Sequence, residues 1–129
     1  MLRTGILNPA INSLISRVRH TNTLVIADRG FPFWPQIEIV DISLVDGIPR
    51  VLDVLRAIRA NFVLGRIFMA EEFRRVNDEP TLQEFEQAAA GIQMIFEPHV
   101  ELKKRVPQAI GLIRTADTVQ YANMILESA

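Results

Sequence analysis

His20-Thr21-Asn22-Thr23-Leu24-Val25-Ile26-Ala27-Asp28-Arg29-Gly30 is the stretch on which the fold turns. Its centre, Leu24 to Ala27, is a continuous apolar run containing β-branched residues. That pattern suits a central strand covered on both faces, as in a parallel sheet. Polar groups bracket the run. His20 comes before it and Asp28 after it, and Asp-Arg-Gly is good turn chemistry.

Working outward, Asn8-Pro9 reads as a helix start, with Asn capping and Pro in the first turn. Ile11, Leu14, Ile15 and Val18 follow at helical spacing, so the helix is expected to run to near His20. On the other side, Phe31-Pro32-Phe33-Trp34-Pro35 must be a loop, because two prolines exclude a regular helix or central strand. Strands are expected around Ile37–Ile42, Val63–Ala70, Ile92–Phe96, Ala109–Ile113 and Ala122–Leu126. Helices are expected to open at Pro49, at Thr81 with a capping box, and at Val100, with a helical turn at Glu71–Arg75. Gly91 is a plausible helix stop.

Strands alternating with helices argue for an α/β layer fold with a mostly parallel sheet, in one domain spanning 1–129. The polar link Arg114–Gln120 suggests a hairpin between the last two strands, with one strand antiparallel. Composition narrows the class further. A formal net charge of -1 gives no electrostatic case for nucleic acid or an anionic membrane surface. The absence of cysteine excludes disulfides and thiolate metal sites. No apolar run is long enough for a signal peptide or a spanning helix, so a cytoplasmic protein is expected.

The chemistry-bearing residues are few. His20 and His99 are the only histidines and Tyr121 the only tyrosine. His20 has the side-chain type of a general acid or base, or it is a helix-terminal histidine meeting the last carbonyls. Asp28 could hold a sugar hydroxyl or orient a histidine, or simply make its turn. His99 follows Phe-Glu-Pro and either binds ligand or starts a short helix. Tyr121 and Asn123, read as strand residues of one parity, would share a face as a small-ligand clamp or an edge-strand pair. Ligands in open α/β sheets sit beyond the carboxyl ends of strands, so Asp28 and His99 could face one crevice. His20 and Tyr121–Asn123 lie at the other ends of their elements. An antiparallel strand or a neighbouring subunit would be needed to bring them there. The Phe31–Trp34 loop could stack on a sugar or pack at a subunit contact. Glu71-Glu72 with Arg74-Arg75, and Lys103-Lys104-Arg105, read as solvated surface. No phosphate loop, nucleophile elbow or His-x-x-x-His metal pair occurs.

Together these residues resemble a known family. Gly5-x-Leu7-Asn8, Ile15-Ser16-Arg17 and His20-Thr21-x-Thr23-Leu24-Val25-x-x-Asp28-x-Gly30-x-Pro32 are similar to the amino-terminal signature of the D-ribose pyranase family, which includes the L-fucose mutarotases. The resemblance continues through Gly47-Ile48-Pro49, Ala70-Glu71-Glu72, Ile113-Arg114-Thr115 and Tyr121-Ala122-Asn123-x-Ile125-Leu126. It implies a three-layer α/β/α sandwich with a six-stranded mixed, mostly parallel sheet. It implies an isomerase that interconverts pyranose and furanose, or anomeric, forms of a free monosaccharide, D-ribose as the first guess, without metal or cofactor. It implies a homo-oligomer, a pentameric ring or decamer, with the sugar between neighbours. Position by position, His20 matches the proton donor. Asp28, His99, Tyr121, Ala122 and Asn123 match substrate-binding positions, Ala122 through its backbone. The chain departs from the pattern at Arg19, at Asn22 in place of a carboxylate near His20, and at Arg29, which could pair with Asp28 or narrow the pocket. Asn22 and Arg29 motivate the alternative of a monosaccharide-binding or sensor protein without turnover.

Overall fold

The computed structural model describes residues 1–3 and 5–129. Its strands are β1 (Thr23–Ala27), β2 (Glu38–Asp41), β3 (Leu64–Ala70), β4 (Gln93–Glu97), β5 (Gly111–Arg114) and β6 (Met124–Ser128). Its helices are α1 (Pro9–Ser16), α2 (Val51–Arg59), α3 (Glu71–Val76), α4 (Glu79–Ala88) and α5 (His99–Arg105), with a 3-10 turn at Val106–Gln108. The strands form one six-stranded sheet in the order β2-β5-β1-β6-β3-β4. β1 pairs parallel with β5, β5 with β2, and β3 with β4, while β6 runs antiparallel to both β1 and β3.

Alternation along β1 sends its side chains to two cores. Leu24 and Ile26 join the core under α1, α2 and α4, with Leu14, Leu55, Ile58 and Phe85. Val25 and Ala27 join the core under α5, with Leu102, Val106 and Phe68. Both faces of β1 are covered, as its unbroken apolar run requires, and the layers are α/β/α.

The expected hairpin between the last two strands does not form. β1 lies between β5 and β6. The reason is in the link. Thr115 is tied to β1, its N–H donating to the Ala27 carbonyl at 2.9 Å and its hydroxyl to the same oxygen at 2.7 Å. Buried Asp117 accepts from Val51 N at 2.8 Å, capping α2, and its carbonyl accepts from Arg29 N at 3.1 Å. The link thus wraps over the carboxyl end of β1 and delivers β6 on its far side.

Three helix boundaries also shift. α1 stops at Ser16 because Arg17 and Val18 close on the carbonyls three residues back, and Asn22 Oδ1 takes the Arg19 N–H at 2.9 Å to make a separate turn. α2 opens at Val51 rather than Pro49, since the Pro49 carbonyl is held by Ala116 N at 2.9 Å and Asp53 reaches back to Arg50 N at 2.7 Å. α4 is capped by Asp78, which accepts from Thr81 N at 3.0 Å, so Thr81 lies inside the first turn.

Candidate active site

The antiparallel course of β6 decides the site. Its first residues stand beside the last residues of its neighbour β1, so Tyr121–Asn123 arrive next to Asp28. Asp28 N–H donates to Asn123 Oδ1 at 2.8 Å, and Asn123 Nδ2 donates to Asp28 Oδ2 at 3.2 Å. The other carboxylate oxygen of Asp28 accepts from Gly30 N at 3.0 Å. Burial pushes the Asp28 carboxyl above its ordinary range, and the bonds from Gly30, Asn123 and Phe31 hold it back.

Tyr121 and Asn123 were expected on a strand, with shared parity. Both instead precede β6, and Tyr121 has a left-handed φ of 56°. That backbone, uncommon for a bulky residue, turns the tyrosine ring against His99. The two rings meet edge-on at 5.0 Å, and Phe31 stands on the other flank of the imidazole at 6.1 Å. His99 Nε2 is buried with no hydrogen-bond partner. Burial, then the Lys103 charge, pushes the His99 imidazole below its ordinary value, against the opposing charges of Glu72 and Asp28.

These groups line a cleft of about 440 Å³, with Gly30, Phe31 and Pro32 on one wall and Lys103 and Gln120 on others. Asp28, His99, Tyr121 and Asn123 are therefore together. Ala122 is fully buried in the opposite core, which leaves only its main chain for the site. Lys103 was assigned to solvated surface and instead faces the cleft. It lies four residues after His99 on α5, a spacing that puts both on one helical face. Glu72, also assigned to solvated surface, accepts the His99 main-chain N–H with both oxygens at 3.1 Å. Phe31 is buried on the cleft wall, with Trp34 tilted against it at 6.1 Å, and Phe33 is exposed.

His20 is not in this cleft. It is exposed in the turn before β1, at the end of that strand opposite Asp28. The five residues of β1 alone separate them by about 17 Å. Thr21, next to His20, has φ 65° and donates to the Ser128 carbonyl at 3.0 Å, which ties this turn to the far end of β6. Glu127 stands nearby, bonded twice by Arg66 at 2.8 and 2.7 Å; those bonds hold its carboxyl below the ordinary range, helped by the charges of Arg105 and His20. Thr21 and Tyr121 are the only non-glycine residues with positive φ among the described residues. Backbone held this way persists where surrounding structure insists on it, and it clusters at functional sites.

The three departures have local roles. Arg29 pairs with Asp46 and not with Asp28, its Nη1 donating to both Asp46 carboxylate oxygens at 2.8 and 2.9 Å. Asn22 closes the turn at Arg19, and Arg19 itself bonds the Ser16 and Val18 carbonyls. Among the described residues no group of three or more His, Cys, Asp or Glu side chains could hold a metal ion, and no helix is long and apolar enough to cross a membrane.

Comparison with known proteins follows the same lines. A D-ribose pyranase of Geobacillus kaustophilus is 40% identical over 129 residues, covering 99% of this chain and 93% of the relative. One from Chromobacterium violaceum is 38% identical over 128 residues, covering 99% and 97%. The structure of Bacillus subtilis RbsD complexed with D-ribose superposes with a TM-score of 0.91 at 26% identity, over 100% of this chain and 98% of that one. A fucose mutarotase from Streptococcus pneumoniae in complex with L-fucose shares the fold, with a TM-score of 0.79 at 18% identity over 100% and 98%. The family model described as the RbsD / FucU transport protein family matches residues 1–129, and the chain belongs to that family.

Proposed function

We propose that this chain is an isomerase that interconverts the pyranose and furanose forms of a free monosaccharide, D-ribose first, using the Asp28–His99–Tyr121–Asn123 cleft. The observation that carries the reading is the imidazole of His99. Its Nε2 is buried without a partner, in a cleft whose other polar groups are a carboxylate, a phenol, two amides and an ammonium. A buried polar atom needs a partner, and a sugar presents hydroxyls that both donate and accept.

The reaction asks little else of the protein. A proton leaves the anomeric hydroxyl, the bond from the anomeric carbon to the ring oxygen breaks, and the ring oxygen takes a proton. The open aldehyde then closes through another hydroxyl. Asp28, with its raised proton affinity, Tyr121 and Asn123 bind hydroxyls, and the main chain at Ala122 supplies a further contact. His20 serves as general base and acid in turn, taking the proton from the anomeric hydroxyl and giving one to the ring oxygen, a role worth roughly a hundred to ten-thousand-fold for a well-placed acid or base. Because His20 lies at the opposite end of β1, the His20 of a second copy completes the cleft. The active form is then a closed ring of copies, pentameric or stacked into a decamer, each interface joining one cleft to one His20 turn.

Exchange NMR on a panel of free sugars tests the reading. Faster ring exchange of D-ribose with the protein than in buffer is expected, with His20→Ala reduced toward buffer. If no sugar in the panel exchanges faster than in buffer, the reading fails. Saturable binding without acceleration would favour the sensor alternative.

A further inference from the structure

The cleft holds His99 without a hydrogen bond to its ring from any described residue. Its position rests on the edge-on contact with Tyr121, on Phe31, and on the main chain at the start of α5. That start is unusual. Pro98 precedes His99 and offers neither a capping side chain nor an N–H, so the amide of His99 is the first orphan donor of the helix. The partner comes from another element. β3 and β4 run parallel with Ala70 opposite Glu97, which sets the first turns of α3 and α5 side by side. Glu72 of α3 then reaches the His99 N–H with both carboxylate oxygens, each at 3.1 Å. Arg75 stands 3.8 Å from the same carboxylate, more exposed than Glu72 itself.

We propose that Glu72 is a positioning residue for His99: its carboxylate clamps the main-chain amide from outside the helix and so fixes where the imidazole meets Tyr121 and the sugar. The argument rests on the proposed use of His99 as a sugar-binding group. Glu72 does not line the cleft, so its effect passes through His99 alone. It also places a negative charge against an imidazole that faces Lys103 on its own helix, Asp28 after β1 and Tyr121 before β6. Burial and Lys103 favour the neutral ring, while Glu72 and Asp28 oppose them.

Two variants separate clamp from charge. Glu72→Gln keeps an acceptor for the amide and removes the charge; Glu72→Ala removes both. The chain has only two histidines, so imidazole NMR titration resolves His99 once His20 is assigned through His20→Ala. In Glu72→Gln the His99 titration moves to lower pH than in wild type. In Glu72→Ala the KM for D-ribose rises about tenfold with a smaller change in kcat, and Glu72→Gln recovers most of that loss. A wild-type KM in Glu72→Ala, or a Glu72→Gln that loses as much as Glu72→Ala, overturns the proposal. Should Glu72→Ala not fold, Glu72→Asp, whose shorter side chain draws the carboxylate back from the amide, takes its place with the same readouts. If the wild type turns over no sugar, the isomerase reading fails by itself, and the His99 amide and ring NMR shifts, displaced in Glu72→Ala and kept near wild type in Glu72→Gln, still test the clamp.

Discussion

Asp28 and Asn123 are 95 positions apart in the chain and exchange two hydrogen bonds: the Asp28 main-chain N–H gives to Asn123 Oδ1, and Asn123 Nδ2 gives back to the Asp28 carboxylate. The pair joins the end of β1 to the start of β6 and aims the carboxylate into the cleft. Asn123 is 3% exposed, so its side chain is held in this pair and not in open solvent. Asn123→Ala leaves the Asp28 N–H unpaired and is expected to cost about 1–3 kcal/mol in stability. It is also expected to remove most ribose turnover. Chemical denaturation and exchange NMR on the same sample check both.

The cleft reads His99 as neutral near pH 7. Burial and then Lys103 lower its folded-state proton affinity. The unfolded chain therefore takes up a proton at a pH where the folded chain resists it, and stability falls as pH drops through about 6.5. In His99→Asn this source of acid sensitivity is absent. Melting temperatures of the two proteins between about pH 7.5 and 5.5 test the sign, since the wild type is expected to lose more over that interval.

Tyr121 separates ring packing from hydroxyl chemistry. Its ring braces His99 edge-on at 5.0 Å, and its hydroxyl makes no side-chain hydrogen bond to the described residues. Tyr121→Phe is expected to fold with stability within about 0.5 kcal/mol of wild type. Its KM for sugar is expected to rise several-fold through the lost hydroxyl contact. A thermal melt beside a KM determination checks the split.

Gly111 tests how tightly α1 seats on the sheet. A Cβ there would fall 2.5 Å from Leu14 Cδ1 and 3.1 Å from the Glu38 carbonyl oxygen. Leu14 is fully buried and the second neighbour is backbone, so neither yields freely. Gly111→Ala is expected to cost about 1–3 kcal/mol, as overpacked cores do. Its clean loss of stability, with sugar affinity retained in the folded fraction, is the measurable outcome.

Much of this was legible in the chain. Leu24–Ala27 announced a strand with both faces covered, because an unbroken apolar run has no polar face to give to water. The placing of Asp28 and His99 in one crevice followed from strand direction alone. Tyr121 and Asn123 read as strand residues and instead precede β6, since nothing local in Tyr121-Ala122-Asn123 shows a left-handed φ. The hairpin was misjudged because a polar link says how far the chain travels, and the anchors at Thr115 and Asp117 say where. Lys103 carried a readable signal in its spacing from His99. Glu72 carried none, since only the parallel pairing of β3 with β4 brings α3 against α5.

His20 and the Asp28 cleft lie at opposite ends of β1, and in the proposed enzyme catalysis joins them across copies. Subunit mixing tests it most directly. His20→Ala has an intact cleft and no acid, while Asn123→Ala has an intact acid and a damaged cleft. The two are mixed in equal amounts, dissociated and reassembled, and D-ribose ring exchange is measured by NMR. Random assembly predicts that about one quarter of the sites regain both halves, and activity returns to roughly that fraction of a wild-type control treated the same way. A mixture no more active than its two parents, beside an active wild-type control, would contradict the account.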